Sequence, residues 1–286
     1  IYGQNASYDP FNVAFGKTAQ VVEYFLGFST NYQSLQIELK KRMSKGVSFS
    51  SALTWGKAQN YQTGAQDGGL LFYTGNLRRN YNLADFDRKI NYEQTVTYEF
   101  PAGRGHRYFS SGITSYALGG WKASAIVSAL TGLPFTITGT SATPSTTQTA
   151  NQVAPYIITH NVSGAANTNW FNTAAFTSPA ACTAYSAANP VACAVGNTQR
   201  NQFRGPNYVS DNLSLFKAFP LFRERVNLET RFDAFNFTNT PAFANPTSSI
   251  TSSSFGRITS TLGSGVGNVN GVGGPRVLQA SAKITF

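Results

Sequence analysis

Charged side chains are scarce in this sequence. They make up 12% of its 286 residues, against roughly 25% in an average soluble protein. Long apolar runs are missing too. No stretch approaches the roughly 20 residues that a spanning helix needs, and mean hydropathy is −0.20, so a helical membrane protein is excluded. Methionine occurs once, at Met43, and nothing near Ile1 has the form of a signal peptide. The sequence therefore reads as a processed or truncated piece of a longer product. Two cysteines, Cys182 and Cys193, share an Ala/Ser/Pro-rich stretch. They are too few for a metal site, and His106 and His160 are distant in sequence. In an oxidising compartment the pair can close a small loop disulfide.

Aromatic residues, at 14%, and Gly, Ser, Thr and Asn are plentiful, and the net charge is +10. Nucleic-acid binding requires basic residues gathered on one patch with interleaved aromatics. Here the one tight cluster is Lys40-Lys41-Arg42 with Lys45 nearby, and the other cations are dispersed as Arg78-Arg79, Arg88-Lys89, and Arg223 with Arg225. No nucleic-acid partner is expected. These cations suit strand ends and a wet interior.

What the sequence does carry is alternation with period two, the mark of strands with one apolar face. The last strand is the clearest. Leu278, Ala280, Ala282, Ile284 and the terminal Phe286 point one way, and Gln279, Ser281, Lys283 and Thr285 the other. A soluble sandwich would accept the same pattern, but ending on an aromatic on the apolar face is how a transmembrane barrel strand meets the membrane–water boundary. Further strands are predicted near residues 34–43, 47–57, 88–100, 118–138, 209–219 and 225–237. The fourth is open to interruption at Gly132 and Pro134.

The connections sort by length. Ser44-Lys45-Gly46, a moderate stretch from Pro101, and residues 220–224 are short; those near 58–87, 139–207 and 238–274 are long. Short and long ones alternate, so an antiparallel meander places all the long ones at one end. That is the asymmetry of an outer-membrane barrel, with short periplasmic turns and long external loops. The predicted fold is thus all-β: an antiparallel up-and-down transmembrane barrel, here a partial one of about seven or eight strands over residues 1–286. Outer-membrane lipid is the partner this implies. Glu38, Lys40, Arg42, Glu93, Glu99, Lys122, Glu229, Arg231, Asp233 and Lys283 fall on the lumen parity. Lys41 and Lys217 fall on the lipid parity and are expected near an interface. The loops, rich in Thr, Ser, Asn, Ala and Gly and low in complexity at 141–150 and 260–274, are expected to form no core of their own.

No catalytic site emerges. His106 sits in a turn and His160 in a loop, and no Gly-x-Ser-x-Gly is present. Glu93, Glu99, Glu229 and Asp233 are read as ion-pair partners of lumen cations such as Arg231, Lys122 and Lys40, rather than as acid/base pairs. Gly103 with Gly105, and the glycine-rich run from 263 to 274, suit flexible connections. No enzymatic activity, metal or cofactor is expected. Trp55, Tyr98, Phe100, Trp121, Phe219 and Phe286 are read as membrane-interface aromatics. Trp170 and Phe171, in the longest loop, are open to two readings: contact with a ligand, or packing back on the loop.

Several runs carry a family resemblance. They are Asn31-Tyr32-Gln33-Ser34-Leu35-Gln36 through Lys41-Arg42, Gly46-Val47-Ser48-Phe49 to Trp55-Gly56-Lys57, Leu133-Pro134-Phe135-Thr136, and Asn201-Gln202-Phe203-Arg204-Gly205-Pro206. The densest runs from Leu213-Ser214-Leu215-Phe216-Lys217 through Val226-Asn227-Leu228 to Phe235-Asn236-Phe237-Thr238-Asn239 and Asn245-Pro246. In order and spacing the set resembles the C-terminal barrel of TonB-dependent outer-membrane receptors, most closely the Oar-like group with a carboxypeptidase-regulatory-like domain. The resemblance implies a barrel of about 22 strands filled by a plug, of which this chain would be roughly the last third. It also implies the plug and remaining strands of the same protein, the TonB complex, and the barrel assembly machinery acting on the C-terminal strand as partners. Signal peptide, plug and TonB-contacting segment have no counterpart in the sequence. The rival readings are an outer-membrane adhesion or surface-assembly barrel, and a soluble secreted glycan-binding β protein.

Overall fold

The computed structural model describes residues 14–16, 27–61, 77–103, 105–139, 148–160, 162, 168–179, 196–221, 226–262 and 274–286. Its main sheet is an antiparallel meander. In chain order it contains β1 (Asn31–Ser44), β2 (Val47–Asn60), the short β3 (Asn82–Leu83) pairing with β2, and β4 (Ile90–Glu99). It continues with β5 (Trp121–Leu130), β10 (Tyr208–Leu221), β11 (Val226–Phe235) and β12 (Val277–Thr285). Between β5 and β10 lie four two-residue strands: β6 (Pro134–Phe135) paired with β9 (Phe203–Arg204), and β7 (Asn151–Gln152) paired with β8 (Phe176–Thr177). The long strands have 9–14 residues, and a tilted strand crosses a bilayer with about 9–11. Among the described residues the sheet stays open, with β1 and β12 as its edges.

Register decides the faces, because paired residues on adjacent strands share one. Leu35 pairs with Trp55, and Trp55 with Ile90. Tyr98 pairs with Ala123, and Ala123 with Leu215. Leu215 then pairs with Phe232, and Phe232 with Ala280. The apolar sets of all seven long strands therefore fall on a single face, and Leu35, Ile37, Leu39, Trp55, Phe232, Leu278 and Ile284 are exposed on it. The opposite face holds Glu38, Lys40, Glu93, Glu99, Lys122, Arg231 and Asp233, in register with small residues such as Ser50, Ala52, Ser128 and Ser214 and with Phe216. A sheet with greasy side chains standing outward and charges inward is a membrane wall. Among the described residues no helix is long and apolar enough to cross a membrane.

The β1–β2 connection is a two-residue turn. Lys45 and Gly46 both have left-handed φ, 52° and 79°, the type I′ geometry that matches strand twist. The β4–β5 connection spans residues 100–120 at the same end of the sheet and contains a helix, α1 (Gly112–Leu118), which the sequence reading did not anticipate.

Two expectations need correction. The fourth predicted strand does not reach residue 138. β5 ends at Leu130, and Pro134–Phe135 turns away to pair with Phe203–Arg204. Gly132 allows this, because a Cβ there would collide with the Gly205 carbonyl. The long loops also do build a core of their own. Phe135, Ile137, Ala150, Trp170, Phe171, Ala175, Phe176, Phe203 and Ile258 form one buried cluster, flanked by Tyr156, Phe243, Ile250 and Phe255. Its members come from the second and third long connections. The average composition of each loop hid the few aromatics that meet in space.

Candidate functional site

The polar and aromatic groups of the long-loop end are held together by three of the sequence runs noted above. The run from Leu133 pairs with the run from Phe203: Pro134 lies opposite Arg204 and Phe135 opposite Phe203. Asn245 closes the junction, its Nδ2 donating to the Pro134 carbonyl at 3.3 Å. Phe135, Phe203, Phe176, Phe171 and Tyr156 then stack with ring centroids 4.8–6.2 Å apart. Edge-to-face and tilted pairs of this kind add to plain burial. Burial pushes the Tyr156 phenol up to about 12, with the Trp170 indole pulling the other way.

A charged latch ties this cap to the first long connection. Arg200 is fully buried. Its Nη2 donates to the Asn60 carbonyl and Oδ1, both at 2.6 Å, and to the Asn82 carbonyl at 3.3 Å. Its Nη1 reaches Asp85 Oδ1 at 3.2 Å, and its Nε reaches the Asn80 carbonyl at 3.2 Å. Burial lowers the pKa of the guanidinium, and Asp85 works in the opposite direction. Asn201 Nδ2 donates to the Leu83 carbonyl at 2.8 Å and to Asp85. Asp87 accepts the Ala58 N–H at 2.6 Å and pairs with Arg204, whose Nη1 also donates to the Gly132 carbonyl at 3.0 Å. The planar guanidinium forks satisfy several acceptors at once, which a lysine cannot do. The sequence reading missed Asp85, Asp87 and Arg200 as a site. The one available signal was the two-residue spacing of the aspartates against the four-residue spacing of Arg200 and Arg204.

Beside the latch lies a recess of about 600 Å³ where β1 and β2 meet the loops, lined among others by Leu35, Trp55, Lys57, Lys89 and Arg204. Lys57 and Lys89 make no ion pair among the described residues. Arg204 is already paired with Asp87, and Leu35 and Trp55 lie on the apolar face, so the recess borders the lipid side of the sheet.

The structure places the residues singled out from sequence as follows. Trp55 stands exposed on the apolar face towards the long-loop end. Tyr98, Trp121 and Phe219 lie on the same face near the short-turn end, and the Phe100 ring is 5.1 Å from Tyr98. Phe286 follows β12 and is fully exposed. Trp170 and Phe171 are buried in the cap core and stack on the protein's own rings, His160 included at 5.2 Å, so their faces are turned to the loop rather than to an open surface. Cys182 and Cys193 lie outside the described residues. On the polar face Glu99 pairs with Lys122 at 2.5 Å, Asp233 with Arg231 at 2.8 Å, and Glu38 with Lys40 at 2.6 Å. Lys217, on the apolar parity, is buried beneath α1.

An apolar outer face, a charged inner face and a sheet crowned at one end by packed loops describe a barrel wall. The family described as "Outer membrane beta barrel domain" matches residues 2–279. The chain belongs to that family. No curated protein and no solved structure matches it. This outer-membrane β-barrel resides in the bacterial outer membrane, and that sets aside the soluble secreted reading.

Proposed function

We propose that this outer-membrane barrel is the C-terminal wall of a TonB-dependent receptor that takes up a ligand, and that it is not an enzyme. The observation that carries the reading is the cap. Three runs that resemble those of such receptors meet in one junction, and Arg200 locks that junction to the first loop. A fixed outer vestibule is what a receptor needs to hold a ligand above a lumen. The charged inner face supports the same reading, since it suits contact with water or a plug. Plug and remaining strands would come from the rest of the protein, energy from the TonB complex, and insertion from the assembly machinery reading β12.

The test is capture of the intact protein by the immobilised periplasmic domain of TonB, together with the upstream coding sequence. A plug and specific capture are expected. The absence of both plug and capture would overturn the reading. It would favour the adhesion or surface-assembly barrel instead, which has its own observation: Val153 and Ile157 stand exposed on the outer loops, where a neighbouring molecule can reach them.

A further inference from the structure

The connection between β4 and β5 belongs to the short-turn end, yet it folds the helix α1. Lys217 tells which side of the wall that helix occupies. Register places Lys217 on the apolar face, between Trp121 and Thr230. Its Nζ donates to the carbonyls of Tyr116 and Ala117, each at 2.6 Å. The Trp121 indole N–H donates to the Ala117 carbonyl at 3.2 Å, and the Tyr116 ring lies 6.0 Å from Phe219. Trp121 and Phe219 share the apolar face, so α1 lies against the outside of the barrel and not across its lumen.

The segment around α1 is greasy. Ile113 is 87% exposed, and Tyr108, Phe109 and Leu118 are exposed with it, while Tyr116 turns its ring to Phe219. No charged residue occurs within the helix. So many large apolar side chains exposed within one short segment call for an occupant. Through the Tyr116 ring the segment meets the lipid-facing band at Phe219. Arg107 stands just before it, its guanidinium 5.6 Å from the Tyr108 ring centre, which puts a cation next to the aromatic edge, as at a headgroup boundary.

We propose that residues 108–118 form an interfacial lipid-binding element, with α1 lying flat in the leaflet at the short-turn end and phospholipid covering Ile113, Phe109 and Leu118. The helix also shields Lys217. Its last carbonyls meet the ammonium, and the rings of Trp121 and Phe219 flank it at 5.4 and 4.4 Å, so a cation on the lipid parity is never bare to hydrocarbon. The inference rests on the outer-membrane placement and not on the uptake reading.

The test uses the intact protein in vesicles of phosphatidylethanolamine and phosphatidylglycerol. Ile113→Trp adds an indole at a position with almost no packing to disturb. Its added emission is expected to be blue-shifted and to be largely lost when the lipids carry brominated acyl chains. Emission at the wavelength of water-exposed indole, unaffected by bromine, overturns the proposal. So does a blue-shifted but unquenched signal, which would mean that a second copy or another protein segment covers the helix. Phe109→Trp gives a second reading with the same two outcomes.

Discussion

A single guanidinium carries much of the cohesion of the external loops. Arg200 has no exposure and serves acceptors on Asn60, Asn80, Asn82 and Asp85. Removing one partner of a buried charged network leaves the others unpaired, at about 3–5 kcal/mol. Arg200→Ala is therefore expected to expose the loops to protease on intact cells while the wall remains folded. Arg200→Lys is expected to rescue little, since an ammonium cannot reproduce the fork. Tyr156 makes a second residue-scale prediction. Its phenol is held neutral up to about 12, above the ordinary 10.0, so the folded cap binds a proton that the unfolded chain has released. Cap stability is then complete below pH 10 and falls as pH climbs from about 10 towards 12. Ultraviolet titration should show one tyrosine ionising late, and Tyr156→Phe should remove that late step. A late step that survives Tyr156→Phe would refute the assignment.

At the scale of elements, the faces of the strands set what each position tolerates. Ala280 lies mid-strand on the apolar face of β12, and Ser281 is its neighbour on the polar face. Arginine facing hydrocarbon near mid-membrane costs about 2–4 kcal/mol. Ala280→Arg should lower the unfolding free energy of the reconstituted protein, measured in urea, by that amount, whereas Ser281→Arg should leave it nearly unchanged. Equal effects would mean that the faces are misassigned. The strands were legible because period-two alternation is local: Leu35, Ile37 and Leu39 announce their face without reference to anything else. The observed ends run further where polar residues simply continue the ladder, as Asn31 does with Gln59. Helix α1 was not legible. Its seven residues, GITSYAL, are too few to show a helical period, and what holds it is Lys217, far away in the chain. The stop of β5 was signalled locally by Gly132 and Pro134, but the close approach of Gly132 to Gly205 that explains it was not.

For the molecule as a whole, the open edges and the closed cap make opposite demands. Among the described residues β1 and β12 have no neighbouring strand on their outer sides, and lipid does not tolerate unpaired backbone groups. Residues 1–286 produced alone are expected to associate edge to edge, visible as large species in detergent, and a stable monomer of a single chain would contradict this. The cap was illegible in sequence because its partners are remote. Phe135 and Phe203 stand in runs that the sequence marks separately, Phe171 left two readings open, and nothing local joins them to Ile258 or Asp85 to Arg200. The ends of the long strands bring them into reach, so the wall that could be read positions the cap that could not.

The junction at Asn245, with Ile258 in the buried cluster, has a temporal consequence. Both residues follow β11 in the chain, so the crown cannot seal until everything up to that strand and the loop behind it has been delivered to the outer side.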